Sequence, residues 1–155
     1  MIFRAILASI ALLCTSTLAC EAAAECAAIG EVNPSDSELA QWRKGLATLR
    51  RQADVAARAS YDIGQDGTGR ELGDLGTLAV NANAASYDPQ FSCQDIVKYK
   101  AKIHEAMQSV HERAARPPRM SERDRNRILG PVDDAIEDLL GSAGTPSLLP
   151  RPRVE

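Results

Sequence analysis

The sequence predicts a mostly α-helical protein, a small single-domain bundle of about four helices followed by a disordered C-terminal tail. Apolar residues recur in steps of three and four along several long segments, which is the period of a helix with one buried face. No convincing run alternates apolar and polar residues as a half-buried strand would. The chain has 155 residues, of which the first two dozen resemble a signal peptide, so the remainder is long enough for one domain.

The first helix is predicted over residues 36–60. Ser35 and Glu38 have the spacing of a capping box, which satisfies backbone N–H groups at a helix start. The buried stripe of this helix is Leu39, Trp42, Leu46, Leu49, Ala53 and Ala56. The segment that follows contains Gly64, Gly67 and Gly69. Because each glycine costs a helix about 1 kcal/mol relative to alanine, the first helix is expected to end near Ser60.

A second and a third helix follow at the same period. The second has helical spacing over residues 72–82, although two glycines interrupt it. The third is predicted over residues 93–115, starting after Ser92, with Asp95 three residues later. Its buried stripe is Ile96, Tyr99, Ile103, Met107, Val110 and Ala114. This stripe is the expected partner of the Trp42 face, so the two long helices are predicted to pack antiparallel.

The fourth helical segment begins after Ser121, since Pro117-Pro118 ends the third helix. Gly130-Pro131 interrupts its pattern, which predicts either a kink or two short helices, with Gly141 as the C-terminal stop. Glycine, serine and three prolines follow without periodicity. Residues 142–155 are therefore predicted to be a disordered tail.

The N-terminal residues 1–24 have the three parts of a secretory signal. Arg4 gives a positive start, the run from Ala5 to Leu13 is apolar, and small residues follow it. Cleavage is expected after Ala24 or, alternatively, after Ala19. The protein is thus predicted to be exported, periplasmic or secreted, with a helical domain over residues 25–141.

The cysteines support export. Once the signal is removed, Cys26 and Cys93 form an even pair, which predicts a disulfide bond in an oxidising compartment. The alternative is that the two thiols are distant and unbridged. Cys20 follows Thr17-Leu18-Ala19, which loosely resembles a lipid-attachment box. Lipidation at Cys20 would tether the protein to a membrane; otherwise no membrane contact is expected.

The candidate metal ligands are His104, Met107 and His111, which form an i, i+3, i+7 row on the third helix. Imidazole and thioether are both copper ligands, so a soft-metal or small-ligand carrier is one hypothesis. Seven residues at 1.5 Å rise separate the histidines by about 10 Å, which is too far for one ion on a straight helix. No catalytic or cofactor motif is found, so neither an enzymatic role nor a cofactor is expected.

The charge distribution favours a protein partner over nucleic acid. The whole chain has a net charge of −3, which does not indicate a nucleic-acid-binding protein. Residues 94–130 contain nine lysines or arginines and five acids, whereas residues 131–141 contain four acids and no base. Such alternation of charges on helices is typical of a solvated face with intrachain ion pairs. The functional alternative is a docking surface for an acidic partner or an anionic envelope surface. The favoured function is macromolecular interaction without catalysis, in the envelope or outside the cell.

Overall fold

The computed structural model describes residues 33–141, which form a bundle of four helices and contain no strand. The helices are α1 (Asp36–Asp62), α2 (Asp66–Ala85), α3 (Cys93–Ala115) and α4 (Glu122–Gly141). The predicted mostly α-helical fold is confirmed. The predicted signal peptide (1–24) and tail (142–155) lie outside the described residues.

Reciprocal caps fix the starts of α1 and α3. The backbone N–H of Ser35 donates to the Glu38 carboxylate over 2.7 Å, and the Glu38 N–H donates to the Ser35 hydroxyl over 3.3 Å. At α3 the backbone N–H and the hydroxyl of Ser92 both donate to the Asp95 carboxylate, over 3.0 Å and 2.7 Å, and the Asp95 N–H donates to the Ser92 carbonyl. The carboxylates of Glu38 and Asp95 each accept a hydrogen bond from the serine hydroxyl and one from the serine backbone N–H. These two bonds, the hydroxyl bond more than the backbone bond, lower the pKa of each carboxyl. The capping prediction at these two helices is therefore confirmed.

Consecutive helices run antiparallel because the connections between them are short. Residues Ile63, Gly64 and Gln65 alone link α1 to α2. The end of α1 lies against the start of α2, where the Tyr61 ring covers Gly69. The start of α1 lies against the end of α2, where Arg43 donates to Ser86.

The ring of helices closes through α1 and α4. Gly45 of α1 faces the side chain of Leu139 near the end of α4, so these two helices are also antiparallel. Each helix contacts the two beside it in the ring, and no Cα of α1 approaches a Cα of α3 within 8 Å. The predicted antiparallel packing of α1 against α3 is therefore wrong. Short connections make sequential helices neighbours, which leaves α1 and α3 diagonal and parallel, with both apolar stripes facing a shared core.

The core is continuous through the four helices. Its largest fully buried apolar side chains are Leu46, Leu49, Leu72, Leu75, Ile103, Leu129, Val110 and Val132. Trp42 and Met107 are also buried, at 4% and 3% exposure. Small residues allow α1 and α2 to approach closely, since a Cβ added at Gly76 of α2 would lie 3.2 Å from the Asp54 carboxylate and 3.7 Å from the Ala53 Cβ of α1.

The start of α2 differs from the prediction. Among the residues that the structure describes, only Gly64 has a positive φ, of 73°, and it lies in the connection, whereas Gly67 and Gly69 lie inside the helix. A Cβ at Gly67 would overlap the Arg113 guanidinium, and one at Gly69 would lie 2.9 Å from the Tyr61 ring. Packing of Arg113 and Tyr61 against these two glycines thus outweighs the low helix propensity of glycine.

The fourth segment is one helix. The described residues of α4 run without a break from Glu122 to Gly141 and include Pro131. The alternative of two short helices is therefore wrong. Pro131 is exposed, on the outer side of the helix, where its ring does not disturb the core.

Candidate functional site

The predicted metal-ligand row does not converge on one site. Met107 is buried in the core, and His104 lies 3.0 Å from the amide nitrogen of Gln108. The Nε2 atom of His111 lies 2.9 Å from the Asp133 carboxylate, across the junction of α3 and α4. Each histidine thus has a neighbouring side chain as its hydrogen-bond partner. Between residues 33 and 141, no group of three or more histidine, cysteine or acidic side chains has the arrangement of a metal site.

Cys93 is the first residue of α3 and is buried. Its predicted partner, Cys26, lies outside the described residues, as does Cys20. The disulfide and the lipid attachment therefore stay predictions.

An arginine-rich end forms where α1 and α3 finish and α2 and α4 begin. We define it as residues 58–70 and 112–127, which contain eight arginines and five acids, a net charge of +3. The side chain of Gln65 donates to the Pro118 carbonyl over 2.9 Å, which holds the two connections together. The arginines are Arg58, Arg70, Arg113, Arg116, Arg119, Arg123, Arg125 and Arg127.

The arginines of this end have different degrees of local pairing. Arg116 lies 3.5 Å from Glu112, and Arg127 lies 2.7 Å from Asp124. The Arg113 guanidinium lies over the backbone at Gly67. Within the described part of the chain, the exposed side chains Arg58, Arg70, Arg119 and Arg123 make no ion pair. These four guanidinium groups are therefore available to an anionic partner.

A groove of about 450 Å³ lies beside this end, between α1 and α4. Its lining is mainly apolar and includes Val55 and Ile63, which are 60% and 38% exposed, and Pro131. Asp62 and Arg127 are the charged residues at its wall. An exposed apolar surface next to charged groups is typical of a place where another molecule binds.

Sequence reasoning found part of the arginine-rich end. The basic stretch over residues 94–130 includes six of its eight arginines, but Arg58 and Arg70 are distant in sequence. They join the cluster because α1 and α2 are antiparallel. The sequence predicts the first helix to end near Ser60 and the second to cover residues 72–82, which leaves Arg70 outside both helices. The observed connection has only three residues, between Asp62 and Asp66, so Arg58 and Arg70 both lie close to it.

No helix within residues 33–141 has both the length and the apolar character needed to cross a membrane. No family model, curated protein or solved structure matches the chain, so its function is inferred from its own surface.

Proposed function

We propose that this is an exported, non-enzymatic protein that binds an acidic protein partner in the cell envelope or outside the cell. The observation that carries the proposal is the arginine-rich end, where four exposed arginines lack an ion pair within the described structure. The signal-like N-terminus supports export, and the even cysteine pair supports an oxidising compartment.

Arginine suits this role because its guanidinium remains charged and donates two parallel hydrogen bonds to one carboxylate. Three of the unpaired arginines, Arg58, Arg70 and Arg119, extend from different elements, namely α1, α2 and the connection before α4. A partner that presents several carboxylates would therefore contact more than one element at once. The adjacent groove supplies apolar area, which gives affinity that charge alone does not.

The test uses poly-L-glutamate as an acidic probe and the full mature chain. Replacement of Arg58, Arg70 and Arg119 by glutamine should abolish most of the binding measured by calorimetry at low salt. The matched control replaces Lys44, Arg51 and Lys100 by glutamine, which changes the net charge equally. Both triple variants should fold, since all six side chains are outside the core.

Equal loss in the two triple variants would contradict the proposal, because it would show that total charge and not the arginine-rich end attracts the probe. Equal retention would contradict it as well. A charged interface should also weaken as salt rises, since screening shortens the Debye length to about 3 Å at 1 M.

Export is tested separately by a non-reducing intact-mass measurement on protein recovered from its own cell envelope. A mass equal to that of the chain starting at Glu25, less two hydrogen atoms, would support signal cleavage and the Cys26–Cys93 bridge. Acyl chains on Cys20 would support the membrane-tethered alternative, and a full-length mass in the cytoplasmic fraction would contradict export.

A further inference from the structure

The outward side of α4 carries its charges in two blocks. Arg123 and Arg127 are exposed in the first half of the helix, and Asp134 and Asp138 are exposed in the second half. The steps between them are four, seven and four residues, so the 3.6-residue period places all four on one side. We call these four residues, with Gly130 and Pro131 between them, the α4 outer face.

This charge order does not stabilise α4 itself. Arg123 and Arg127 are like charges at i, i+4, as are Asp134 and Asp138, and such pairs repel. The helix dipole favours the first-turn acids Glu122 and Asp124, but α4 has no base in its last turn, where the dipole would favour one. Arg127 has Asp124 as an ion-pair partner 2.7 Å away on the same helix, whereas Arg123, Asp134 and Asp138 have none among the described residues. A partner with the complementary charge order would therefore supply ion pairs that α4 itself does not.

The two blocks are mirror-related about one point. The midpoint of Gly130 and Pro131 lies 3.5 residues from both Arg127 and Asp134, and 7.5 residues from both Arg123 and Asp138. At 1.5 Å per residue, the inner two charges lie about 5 Å on either side of this point. If two such helices are antiparallel about a two-fold axis there, each arginine lies level with an aspartate of the other helix.

The centre of the face allows close approach. Gly130 has no side chain, and a Cβ added to it would have no atom within 4 Å. Pro131 is exposed, and Val55 of α1 lies beside it in the groove wall. A small, apolar centre between charged ends is the usual anatomy of a protein interface.

We infer that the α4 outer face binds the same face of a second copy of this chain, antiparallel about a two-fold axis between Gly130 and Pro131. Arg127 pairs with Asp134 of the second copy, and Arg123 pairs with Asp138 of the second copy. The interface is isologous, so it closes as a dimer and leaves no unpaired face. The two proposed interfaces share Arg123 and the groove beside Pro131. Their tests remain separate, because the acidic-partner test changes only Arg58, Arg70 and Arg119, which lie outside the α4 outer face.

The experiment is sedimentation velocity of the full mature chain and two charge-reversal variants. In a homodimer of Arg127→Asp, the introduced acid of each copy faces Asp134 of the other copy, which gives two acid–acid pairs. In a homodimer of Asp134→Arg, the introduced base of each copy faces Arg127 of the other copy, which gives two base–base pairs. Each variant alone should therefore dimerise at least about tenfold more weakly than the unchanged protein. Mixed in equal amounts, the two variants should form a heterodimer, because every acid then faces a base.

The matched controls are Arg51→Asp on α1 and Glu105→Arg on α3, which make the same charge changes on other exposed positions. They should dimerise like the unchanged protein, both alone and mixed. The inference is overturned if the unchanged protein is monomeric at all concentrations, if either reversal on α4 stays dimeric, or if the mixture stays monomeric. Circular dichroism of each variant shows that the helices are intact.

Discussion

Two glycines in the helices, Gly73 and Gly45, should respond in opposite ways to the same substitution. At Gly73 of α2 an added Cβ has no atom within 4 Å, so alanine gains helix propensity without a clash. The expected gain in the free energy of unfolding is about 1 kcal/mol. At Gly45 of α1 the Cβ would lie 2.6 Å from Cδ1 of Leu139, which is itself only 4% exposed.

Leu139 has little space to move, so Gly45→Ala overpacks the seam between α1 and α4. Overpacking a core costs about 1–3 kcal/mol. After the same propensity gain of about 1 kcal/mol is subtracted, the variant should be less stable by about 1 kcal/mol.

The assay is urea unfolding followed by the fluorescence of Trp42, which is buried at 4% exposure in the native state. With an m-value of about 1.5 kcal/mol/M, Gly73→Ala should raise the midpoint by about 0.7 M and Gly45→Ala should lower it by a similar amount. All samples need the same protein concentration, because an associating protein gains stability with concentration. A midpoint for Gly45→Ala that rises as far as that for Gly73→Ala would refute the packing of α4 against α1.

Two further predictions concern Arg43, near the start of α1, and Ser92, which caps the start of α3. Arg43→Ala should cost about 1–2 kcal/mol, because it removes hydrogen bonds to Ser86 and a guanidinium contact 3.9 Å from the Tyr87 ring centroid. Arg43→Lys should recover less than half of this loss in urea unfolding, and full recovery would show that charge alone matters. Ser92→Ala should cost about 1 kcal/mol at neutral pH, because it removes a cap. Since the pKa of Asp95 is lowered in the folded state, its contribution is present above the ordinary carboxyl pKa and is lost as pH falls through the lowered value. Unfolding measured below about pH 4 should therefore show a shallower acid-induced loss in Ser92→Ala than in the unchanged protein; an identical acid profile would contradict the capping role.

Local signals in the sequence were sufficient to place α3 and the start of α1. Ser92 and Asp95 mark the start of α3, and Pro117 follows its end, so the predicted bounds and the observed bounds agree. The start of α2 was missed because helix propensity was the only guide there. The contacts that allow glycine in that helix come from Arg113 and Tyr61, which are remote in sequence.

The pairing of the helices was harder to predict than their bounds. An apolar stripe shows which side of a helix is buried but not which helix it faces, so the Trp42 stripe was assigned to the wrong neighbour. The candidate sites were hard to predict for the same reason, because sequence spacing does not show which helices are neighbours. Sequence spacing grouped His104 with His111, whereas the fold gives each a different partner. It did not group Arg58 with Arg119, because only the antiparallel topology brings them to one end.

The ring order of the helices has a consequence for how the chain folds. Three of the four interhelical contacts join consecutive helices, and only the α1–α4 seam joins distant ones. Contacts that are local in sequence require little loop closure, so the first three helices should assemble rapidly, on a timescale of microseconds to milliseconds. Closure at Gly45 and Leu139 is the single long-range step. The smallest contact in the ring joins α3 and α4, so this seam should separate most often in the native state. The amide hydrogens of α3 and α4 should therefore exchange before those of α1 and α2.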